Sequence, residues 1–362
     1  MITTASPNAA PTHGLAFVGC FTTAKRKARG TGIDVYRIDR GWGAWHLADH
    51  VPDLVNPSFL ITDATRNVLY SAHGDSDYAS AFSIDAVSGK LRLLGRAATG
   101  GMNGVHPALD PSGRFLIVAN YATGSVGVLP VRPDGSLADV TQVLPLPGEI
   151  GPNRIEQPGS RPHHVVFAPS GRFLLVPDKG LDRVFVLTFD AGRGRLAITG
   201  QAVMRPGAGP RHIVFHPHLP YAFVVNEIDS TVATCRWDDS AGVLEPVHVV
   251  STLPPDFFGA STAAEIVITR DGSHVYVSNR GQNGIARFAF AAAESRLDVR
   301  GWTPANGSDP RFMTLDPAGD SLLVASEQGD NISAFHIGRQ DGNLSPHGAV
   351  LPCASPCTIA FL

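Results

Sequence analysis

The chain has 362 residues, of which 43% are hydrophobic and only 17% are charged, a composition typical of a globular protein with a large core. The formal net charge is −3 at pH 7, which excludes a general electrostatic attraction to nucleic acid or to an anionic membrane surface. No apolar run approaches the roughly 18 residues of a membrane-spanning helix, and the first residues lack the charged and apolar regions of a signal peptide. We therefore expect a cytoplasmic protein without nucleic-acid or membrane partners, and a flexible N-terminus over residues 1–13.

One pattern of about 50 residues recurs along the chain, and this period is typical of propellers and solenoids. The chain first shows three strand-like segments, GLAFVGCFT, GIDVYRID and AWHLADHV. Six copies of the pattern follow, beginning near residues 57, 104, 162, 210, 263 and 310. A seventh copy, PCTIAFL from Pro356, contains one strand only. Because the N-terminal segments supply the strands that this last copy lacks, we expect the two ends of the chain to pair and close a ring.

The third copy shows what each repeat contains. An apolar run over 164–167 leads through a Pro-Ser-Gly turn to a second run over 173–176. A third segment with clear alternation covers 183–189, and a more polar fourth segment covers 195–199. Four short strands joined by turns make one antiparallel blade, and packing blades around an axis covers both faces of each sheet. The sequence therefore predicts an all-β, seven-bladed propeller with four strands per blade, as a single domain over 14–362.

The four cysteines, Cys20, Cys235, Cys353 and Cys357, show neither CxxC spacing nor the framework of a disulfide-rich protein. Ring closure would bring Cys353 and Cys357 towards Cys20. We expect free thiols in the core.

A basic run, Lys25-Arg26-Lys27-Ala28-Arg29, falls between the first two strand-like segments. Its simplest interpretation is a solvated loop. The alternative is a rim that attracts an anionic substrate.

Two positions of the repeat carry polar residues that differ from copy to copy. Around the start of the first strand and the end of the second strand these residues are His163, Arg211, His212, Asn226, Glu227, Glu265, Arg280 and Arg311. Because antiparallel neighbours place the start of one strand beside the end of the next, the side chains should meet at one mouth of the central channel. They could simply form ion pairs that lock the ring. So many charged groups on one face are costly to desolvate, however, and this favours a functional site.

The residue types indicate the chemistry of such a site. Three arginines can clamp a carboxylate or phosphate, and one of them could stabilise the oxyanion of an ester or lactone under attack. His163 or Glu227 could act as a general base. No GxSxG nucleophile motif is present, which favours activated water or direct proton transfer. A competing Ca²⁺ site could use the oxygen ligands Asp178, Asn226, Glu227, Glu265 and Asn279, but the interleaved arginines would repel a cation.

Four segments in order, over 169–184, 207–232, 263–281 and 309–319, resemble the seven-bladed propeller lactonase family. This family contains bacterial propeller-type 6-phosphogluconolactonases and fungal carboxy-cis,cis-muconate cyclases. The resemblance covers nearly the whole chain and implies an enzyme without a metal or other cofactor, with its site in the channel mouth. It also implies four catalytic residues, which are His163, Arg211, Glu227 and Arg280. Arg161 departs from the pattern, because the lactonase-type members carry another histidine there, and this bears on substrate preference.

We therefore expect a lactonase that hydrolyses a small anionic sugar lactone, with 6-phosphogluconolactone as the first choice. In this hypothesis water is activated by Glu227 and His163. The expected substrate-binding residues are Arg161, His212, Asn226, Glu265 and Arg311. Two alternatives are a lactonising cyclase that acts on a carboxylated muconate and a non-catalytic scaffold that binds a partner protein through an apolar patch.

Overall fold

The computed structural model of the protein describes residues 13–39, 44–348 and 350–362. Over this part of the chain, 29 strands form seven antiparallel sheets around a central channel, and the only helical elements are two 3₁₀ turns at Ala24–Arg26 and Ala292–Glu294. The predicted seven-bladed propeller is confirmed. The expectation of a flexible N-terminus concerns residues that lie outside the described ones, apart from His13, where the first strand begins.

The first three blades follow one another along the chain. Blade one contains β4 (Pro57–Asp63), β5 (Val68–His73), β6 (Tyr78–Ile84) and β7 (Leu91–Ala98). Blade two contains β8 (Gly104–Leu109), β9 (Phe115–Asn120), β10 (Ser125–Pro130) and β11 (Gln142–Pro145). Blade three contains β12 (Val166–Phe167), β13 (Phe173–Asp178), β14 (Arg183–Asp190) and β15 (Arg195–Val203).

The next three blades repeat the arrangement. Blade four contains β16 (Pro210–Phe215), β17 (Tyr221–Asn226), β18 (Thr231–Asp238) and β19 (Val243–Ser251). Blade five contains β20 (Thr262–Ile268), β21 (His274–Arg280), β22 (Gly284–Ala291) and β23 (Arg296–Pro304). Blade six contains β24 (Pro310–Leu315), β25 (Ser321–Ser326), β26 (Asn331–Ile337) and β27 (Leu344–Pro346), with a short β28 (Leu351–Pro352) that also pairs with β26.

Blade seven joins the two ends of the chain. It contains β29 (Pro356–Phe361), β1 (His13–Cys20), β2 (Gly32–Asp39) and β3 (Trp45–Pro52). The last strand pairs antiparallel with the first, with Val18 opposite Ile359 and Phe17 opposite Ala360. The predicted ring closure is therefore confirmed, and it depends on contacts between residues more than 300 positions apart.

The core lies between blades because a strand sends alternate side chains to opposite faces of its sheet. In β17, Ala222 and Val224 pack with residues of blade three, whereas Phe223 and Val225 pack with residues of blade five. The same alternation in the other blades makes every sheet a shared wall of two apolar layers. Except in blade three, the first strands of neighbouring blades contact each other around the channel, and their starts lie at its mouth.

Blade three differs from the expectation in its first strand. The run predicted over 164–167 shortens to the two residues of β12, which follow a Pro/Gly-rich insertion over 146–161 and an isolated bridge between Pro162 and Asp178. The backbone N–H of His163 still donates to the carbonyl of Pro177, 3.0 Å away. This segment therefore follows β13 without being held in a regular strand.

No helix in the described ranges has both the length and the apolar character needed to cross a bilayer. The cytoplasmic location and the lack of nucleic-acid and membrane partners stay predictions from the sequence.

Candidate active site

The channel mouth holds two cavities that share His163 and Arg311 on their walls. The outer cavity has a volume of about 180 Å³ and is lined by Arg26, Asn103, Val105, Tyr121, His163, Glu227, Arg280 and Arg311. The inner recess, of about 20 Å³, is lined by Phe21, Arg26, Ser58, Phe59, Val105, His163, Arg211, His212, Glu265, Arg311, Phe312 and Cys357. The recess has room for about one water molecule, and the outer cavity can admit a larger ligand.

A β-bulge at the start of the first strand explains why two consecutive side chains can face the channel. In blade four the register shifts between Pro210 and His212, and in blade six it shifts between Pro310 and Phe312. Blades one and two carry the same irregularity. A bulge leaves one residue unpaired and re-aims its side chain. Arg211 and His212 therefore both reach the inner recess, although strict alternation would send them to opposite faces.

Glu227 is the centre of a buried group of charges at the outer cavity. Its Oε1 accepts a hydrogen bond from Lys179 Nζ at 2.7 Å and lies 3.3 Å from a terminal nitrogen of Arg280. Its Oε2 lies 3.1 Å from Arg211 Nε. Burial alone would raise the pKa of the Glu227 carboxyl, but Arg280, Lys179 and Arg211 hold it well below its usual range. These three cations therefore favour the ionised form of the carboxylate at neutral pH.

The cations around Glu227 depend on it in turn. Burial would lower the pKa of Lys179, but the charge of Glu227 raises it above its usual range. Lys179 Nζ also bonds Glu156 of the Pro/Gly-rich insertion at 2.6 Å, which ties that loop to the site. For Arg211, burial together with the charges of Arg311 and Arg280 lowers the pKa to about 9. The site therefore keeps an excess of positive charge even with Glu227 in place.

A second chain of hydrogen bonds runs inward from the recess. His163 Nδ1 lies 3.3 Å from His212 Nε2, and His212 Nδ1 lies 2.7 Å from Glu265 Oε1. The other oxygen of Glu265, Oε2, is buried and has no hydrogen-bond partner among the described residues. Burial raises the pKa of the Glu265 carboxyl to about 7, so this group changes its charge near neutral pH.

The imidazoles of this chain are neutral. Burial, reinforced by the charge of Arg211, lowers the pKa of both His163 and His212 well below the usual range. An ionised Glu265 can only accept hydrogen bonds, so it favours the His212 tautomer with a proton on Nδ1. His212 Nε2 then accepts from His163 Nδ1, which leaves the lone pair of His163 Nε2 free. The chain of contacts thus assigns one consistent set of tautomers.

Aromatic rings fix the orientation of His212. His164 stacks on it with the ring centroids 4.6 Å apart and the planes 16° from parallel. His106 meets His164 edge-on at 4.0 Å, and Phe59 contacts His106 at the same distance. These rings fill the channel below the recess, so His212 cannot rotate away from Glu265 without repacking its neighbours.

Part of the basic run over 25–29 lies at the rim of the site, as the second interpretation of this run predicted. Arg26 lines both cavities and lies over the Phe21 ring at 4.5 Å, where Arg311 also lies, at 5.1 Å. Asp75 accepts a hydrogen bond from Arg26 Nε at 2.7 Å and holds the side chain in place. Arg29 instead pairs with Asp330 at the surface.

Seven of the nine residues proposed from the sequence lie on the cavity walls, namely His163, Arg211, His212, Glu227, Glu265, Arg280 and Arg311. Arg161 and Asn226 do not line either cavity. Arg161 donates to the carbonyls of Tyr121 and Ala122, and the Asn226 amide donates to Thr231 within its own blade. Their expected contacts with substrate therefore have no support in the geometry.

Asp178, Asn226 and Asn279 share one repeat position near the end of the second strand, and its structural role bears on the alternative Ca²⁺ site. Asp178 accepts backbone hydrogen bonds from Arg161, Gly180 and Leu181, and Asn279 binds Thr252. These side chains hold turns and are not free to act as ligands. The residue after each strand end, such as Lys179 or Glu227, faces the channel instead.

Three contributors to the site were missed as site residues by the sequence analysis. Lys179 occupies the same repeat position as Glu227 and Arg280, which was an available signal. Tyr121 also holds that position, and its ring contacts His163 with the centroids 5.5 Å apart. Phe21 follows the first strand, and only the closed ring brings it to the mouth.

Comparison with known proteins gives matches over nearly the whole chain. A family model described as lactonase, 7-bladed beta-propeller matches residues 15–361. The 6-phosphogluconolactonase of Bacillus subtilis (strain 168) is 31% identical over 354 residues, which cover 97% of this chain and 99% of that protein. The 6-phosphogluconolactonase of Erwinia tasmaniensis is 33% identical over 297 residues, with 82% and 84% covered. The structure of a periplasmic gluconolactonase from Pseudomonas aeruginosa superimposes with a TM-score of 0.86 at 28% identity, covering 97% of this chain and 99% of that one.

Proposed function

The chain belongs to the family of seven-bladed β-propeller lactonases, and from this premise we propose that it hydrolyses a sugar lactone, with 6-phosphogluconolactone as the substrate and 6-phosphogluconate as the product. The observation that carries the proposal is the position of a neutral, hydrogen-bonded His163 between a water-sized recess and a cavity lined by arginines. Relatives named 6-phosphogluconolactonase support the choice of substrate.

His163 is the better candidate for the general base. A carboxylate that three cations hold ionised, as Glu227 is, has little tendency to take up a proton. His163 is neutral, and its Nε2 has no hydrogen-bond partner among the described residues. We assign it the removal of a proton from the attacking water. Glu227 then has a different role, which is to hold Lys179, Arg211 and Arg280 in position.

His212 and Glu265 extend the base. When His163 Nε2 takes a proton from water, its Nδ1 proton can pass to His212 Nε2. The Nδ1 proton of His212 can then pass to Glu265, whose pKa of about 7 suits a temporary acceptor. The low basicity of a buried imidazole is offset in this way, because the positive charge does not have to stay on His163.

The lactone would react by attack of the activated water on its carbonyl carbon. The new bond forms between the water oxygen and that carbon, and the bond from the carbon to the ring oxygen breaks. Arg211, beside His163 on the wall of the recess, would stabilise the oxyanion between these two steps. The proton returns through His163 to the ring oxygen, which leaves as a hydroxyl of the open-chain acid. Each step uses side chains of this chain only.

The outer arginines would bind the phosphate of the substrate. Arg26, Arg280 and Arg311 line the same cavity, and Glu227 is the only carboxylate among the described residues on its wall. Arg26 pairs with Asp75, Arg280 shares Glu227 with two other cations, and Arg311 lies 3.6 Å from Glu327. A phosphate can therefore gain charge-assisted hydrogen bonds at this wall.

An unphosphorylated gluconolactone is the second candidate, since a solved structure titled as a gluconolactonase superimposes on this chain over most of its length. The recess and the base would serve this substrate equally well. The arginines of the outer cavity distinguish the two candidates, because only a phosphorylated lactone would use them fully. Lactonisation of a carboxylated muconate would use the same clamp, and no relative compared above carries that name.

The test is the rate of hydrolysis of freshly generated 6-phosphoglucono-δ-lactone and of glucono-δ-lactone in buffer with a chelator, with the spontaneous rate subtracted. We expect a large acceleration for the phosphorylated lactone that His163→Gln abolishes. Arg300→Gln is a matched control, because Arg300 is half exposed and pairs with Asp298 on an outer strand. Acceleration of the unphosphorylated lactone alone would replace the first candidate by the second, and no acceleration of either by the folded protein would overturn the proposal.

A further inference from the structure

Two cysteines and an aspartate meet where the ring closes, in the apolar layer between blades six and seven. Cys20 ends β1, Asp34 lies in β2, and Cys353 precedes β29. Both thiols are buried, while the Asp34 side chain is 22% exposed and so leaves an opening to solvent. One ligand atom from each of the three residues lies within 4.8 Å of the other two. The proposed lactonase chemistry uses none of these groups.

The distances between these atoms suit a tetrahedral metal ion. Cys20 Sγ and Cys353 Sγ are 3.7 Å apart, and Cys353 Sγ is 3.7 Å from Asp34 Oδ2. Zn²⁺ binds sulfur at about 2.3 Å and carboxylate oxygen at about 2.1 Å, so tetrahedral angles give separations of about 3.8 Å between two sulfurs and about 3.6 Å between sulfur and oxygen. Two edges of a metal-binding tetrahedron are therefore present within about 0.1 Å.

The carboxylate is also oriented as a ligand would be. His50 Nδ1 binds the other oxygen of Asp34, Oδ1, at 2.7 Å, and His50 Nε2 is 3.1 Å from the hydroxyl of Thr31. Tyr36 donates to Asp34 Oδ2 at 3.4 Å. A hydrogen bond to the oxygen that does not bind the ion is the usual way in which a protein fixes a ligating carboxylate. Asp34 Oδ2 consequently points towards the two sulfurs.

We propose that Cys20, Asp34 and Cys353 bind a thiophilic divalent cation, and specifically Zn²⁺, at the ring closure. Thiolates select Zn²⁺ over the harder ions Mg²⁺ and Ca²⁺. The partly exposed side of Asp34 leaves room for water as the fourth ligand. Such an ion would be structural and takes no part in the chemistry proposed for the active site.

Binding is coupled to loss of two protons. A cysteine sulfur binds a metal ion as the thiolate, so each thiol must give up its proton on binding. Two S–H bonds break, two bonds from sulfur to the metal form, and the protons leave to solvent. The affinity must therefore rise steeply with pH.

The ion would strengthen the closure that holds the ring together. Cys353 and Cys20 are separated by 333 positions, so an ion bound to both would link the two ends of the chain in addition to their β-sheet pairing. A ligand that binds only the folded ring stabilises it by mass action. We expect Zn²⁺ to raise the melting temperature of the chelator-treated, reduced protein.

Cobalt provides the direct test. Co²⁺ added to the reduced, chelator-treated full chain should give a thiolate-to-metal charge-transfer band that saturates at one equivalent and disappears when Zn²⁺ is added. Cys353→Ser should abolish the band. Asp34→Asn keeps both thiols and should weaken binding by at least 100-fold, and His50→Gln should weaken it about 10- to 100-fold through the orientation of Asp34.

Cys357→Ser is the matched control, because this thiol lies four residues from Cys353 but faces the carbonyls of Gly19 and Pro57. It should keep the band. Two protonated thiols in mutual contact would also lie 3.7 Å apart, and a disulfide could form from them in the presence of an oxidant. Failure of the reduced wild-type protein to give the band, or an equal band in Cys353→Ser, would overturn the metal site.

Discussion

Glu227 and Glu265 are two buried glutamates at the same channel mouth, in neighbouring blades, and their surroundings give them opposite properties. Glu227 lies among Lys179, Arg211 and Arg280, which hold its pKa well below the usual range. Glu265 is equally buried but faces neutral His212, and burial raises its pKa to about 7. Depth in the protein is the same for both, so the charge of the neighbours decides which carboxylate can exchange a proton.

Because of this difference we distinguish an outer region of the site, formed by Glu227 and the cations around it, from an inner region that contains Glu265. The outer region is a fixed group of charged side chains that can bind an anion without a change in their own protonation states. The inner region, with His163, His212 and Glu265, can accept and return a proton near neutral pH. An enzyme that hydrolyses an anionic lactone needs both properties, and it needs them side by side.

Replacing the base should have the largest effect. In His163→Gln we expect kcat for 6-phosphogluconolactone to fall by about 10³- to 10⁴-fold with little change in KM, because the outer cations still bind the substrate. Steady-state kinetics on the freshly made lactone measure this. His46→Gln, at an exposed position beside Asp39, should leave both constants unchanged. A loss of less than tenfold in His163→Gln would move the role of base to another group.

Glu227→Gln should act on the fold as strongly as on the reaction. Removing its charge leaves three buried cations without their carboxylate, so the free energy of unfolding should fall by about 3–5 kcal/mol. Denaturant unfolding followed by circular dichroism is the measurement. The control, Glu245→Gln, removes a largely exposed partner of Arg236 and should change stability by less than about 0.5 kcal/mol. Equal free energies of unfolding for the two variants would mean that Glu227 does not stabilise the buried cations around it.

Glu265→Gln should have the opposite effect on stability at high pH. A carboxyl whose pKa is raised in the folded state binds more protons there than in the unfolded chain, so the wild-type protein loses stability as pH rises from about 4.5 to about 7. The variant lacks this group. The free energy of unfolding of the variant, minus that of the wild type, should therefore be roughly 2 kcal/mol higher at pH 8 than at pH 5. A difference that does not change with pH would show that Glu265 is ionised throughout.

The arginines of the outer cavity should affect substrate choice more than rate. In Arg311→Gln we expect KM for the phosphorylated lactone to rise about tenfold, because one charge-assisted contact is lost. The constants for glucono-δ-lactone should stay the same. An equal change for both substrates would place the phosphate elsewhere.

The repeat made most of the fold predictable from the sequence. The predictions failed where a blade departs from the repeat. Alternation over 183–189 matches β14, but only the second half of the run over 164–167 forms a strand, in the one blade that follows the insertion over 146–161. Equal repeat positions also predicted that His163, Glu227 and Arg280 would meet. The same argument wrongly predicted that Asn226 lines the cavity. Whether a side chain faces the channel or its own turn depends on local hydrogen bonds.

Other features of the site could not be read from one strand at a time. The bulge that turns both Arg211 and His212 towards the recess breaks the alternation from which the directions of side chains are predicted. The unlike pKa values of Glu227 and Glu265 depend on side chains from neighbouring blades, which lie some 50 residues away in the sequence. Arg26 reaches the cavity only because the ring closes beside it.

The most direct test of the division between the two regions is the pH dependence of kcat/KM for 6-phosphogluconolactone, corrected for spontaneous hydrolysis, in the wild type and in Glu265→Gln. If Glu265 must be ionised to orient His212 and His163, the wild-type value should fall about tenfold per pH unit below about pH 7. The variant should be about 100-fold less active at pH 8 and should show no such limb. A wild-type profile that is flat from pH 5 to 8, or an unchanged limb in Glu265→Gln, would contradict the proton-transfer role of the inner region.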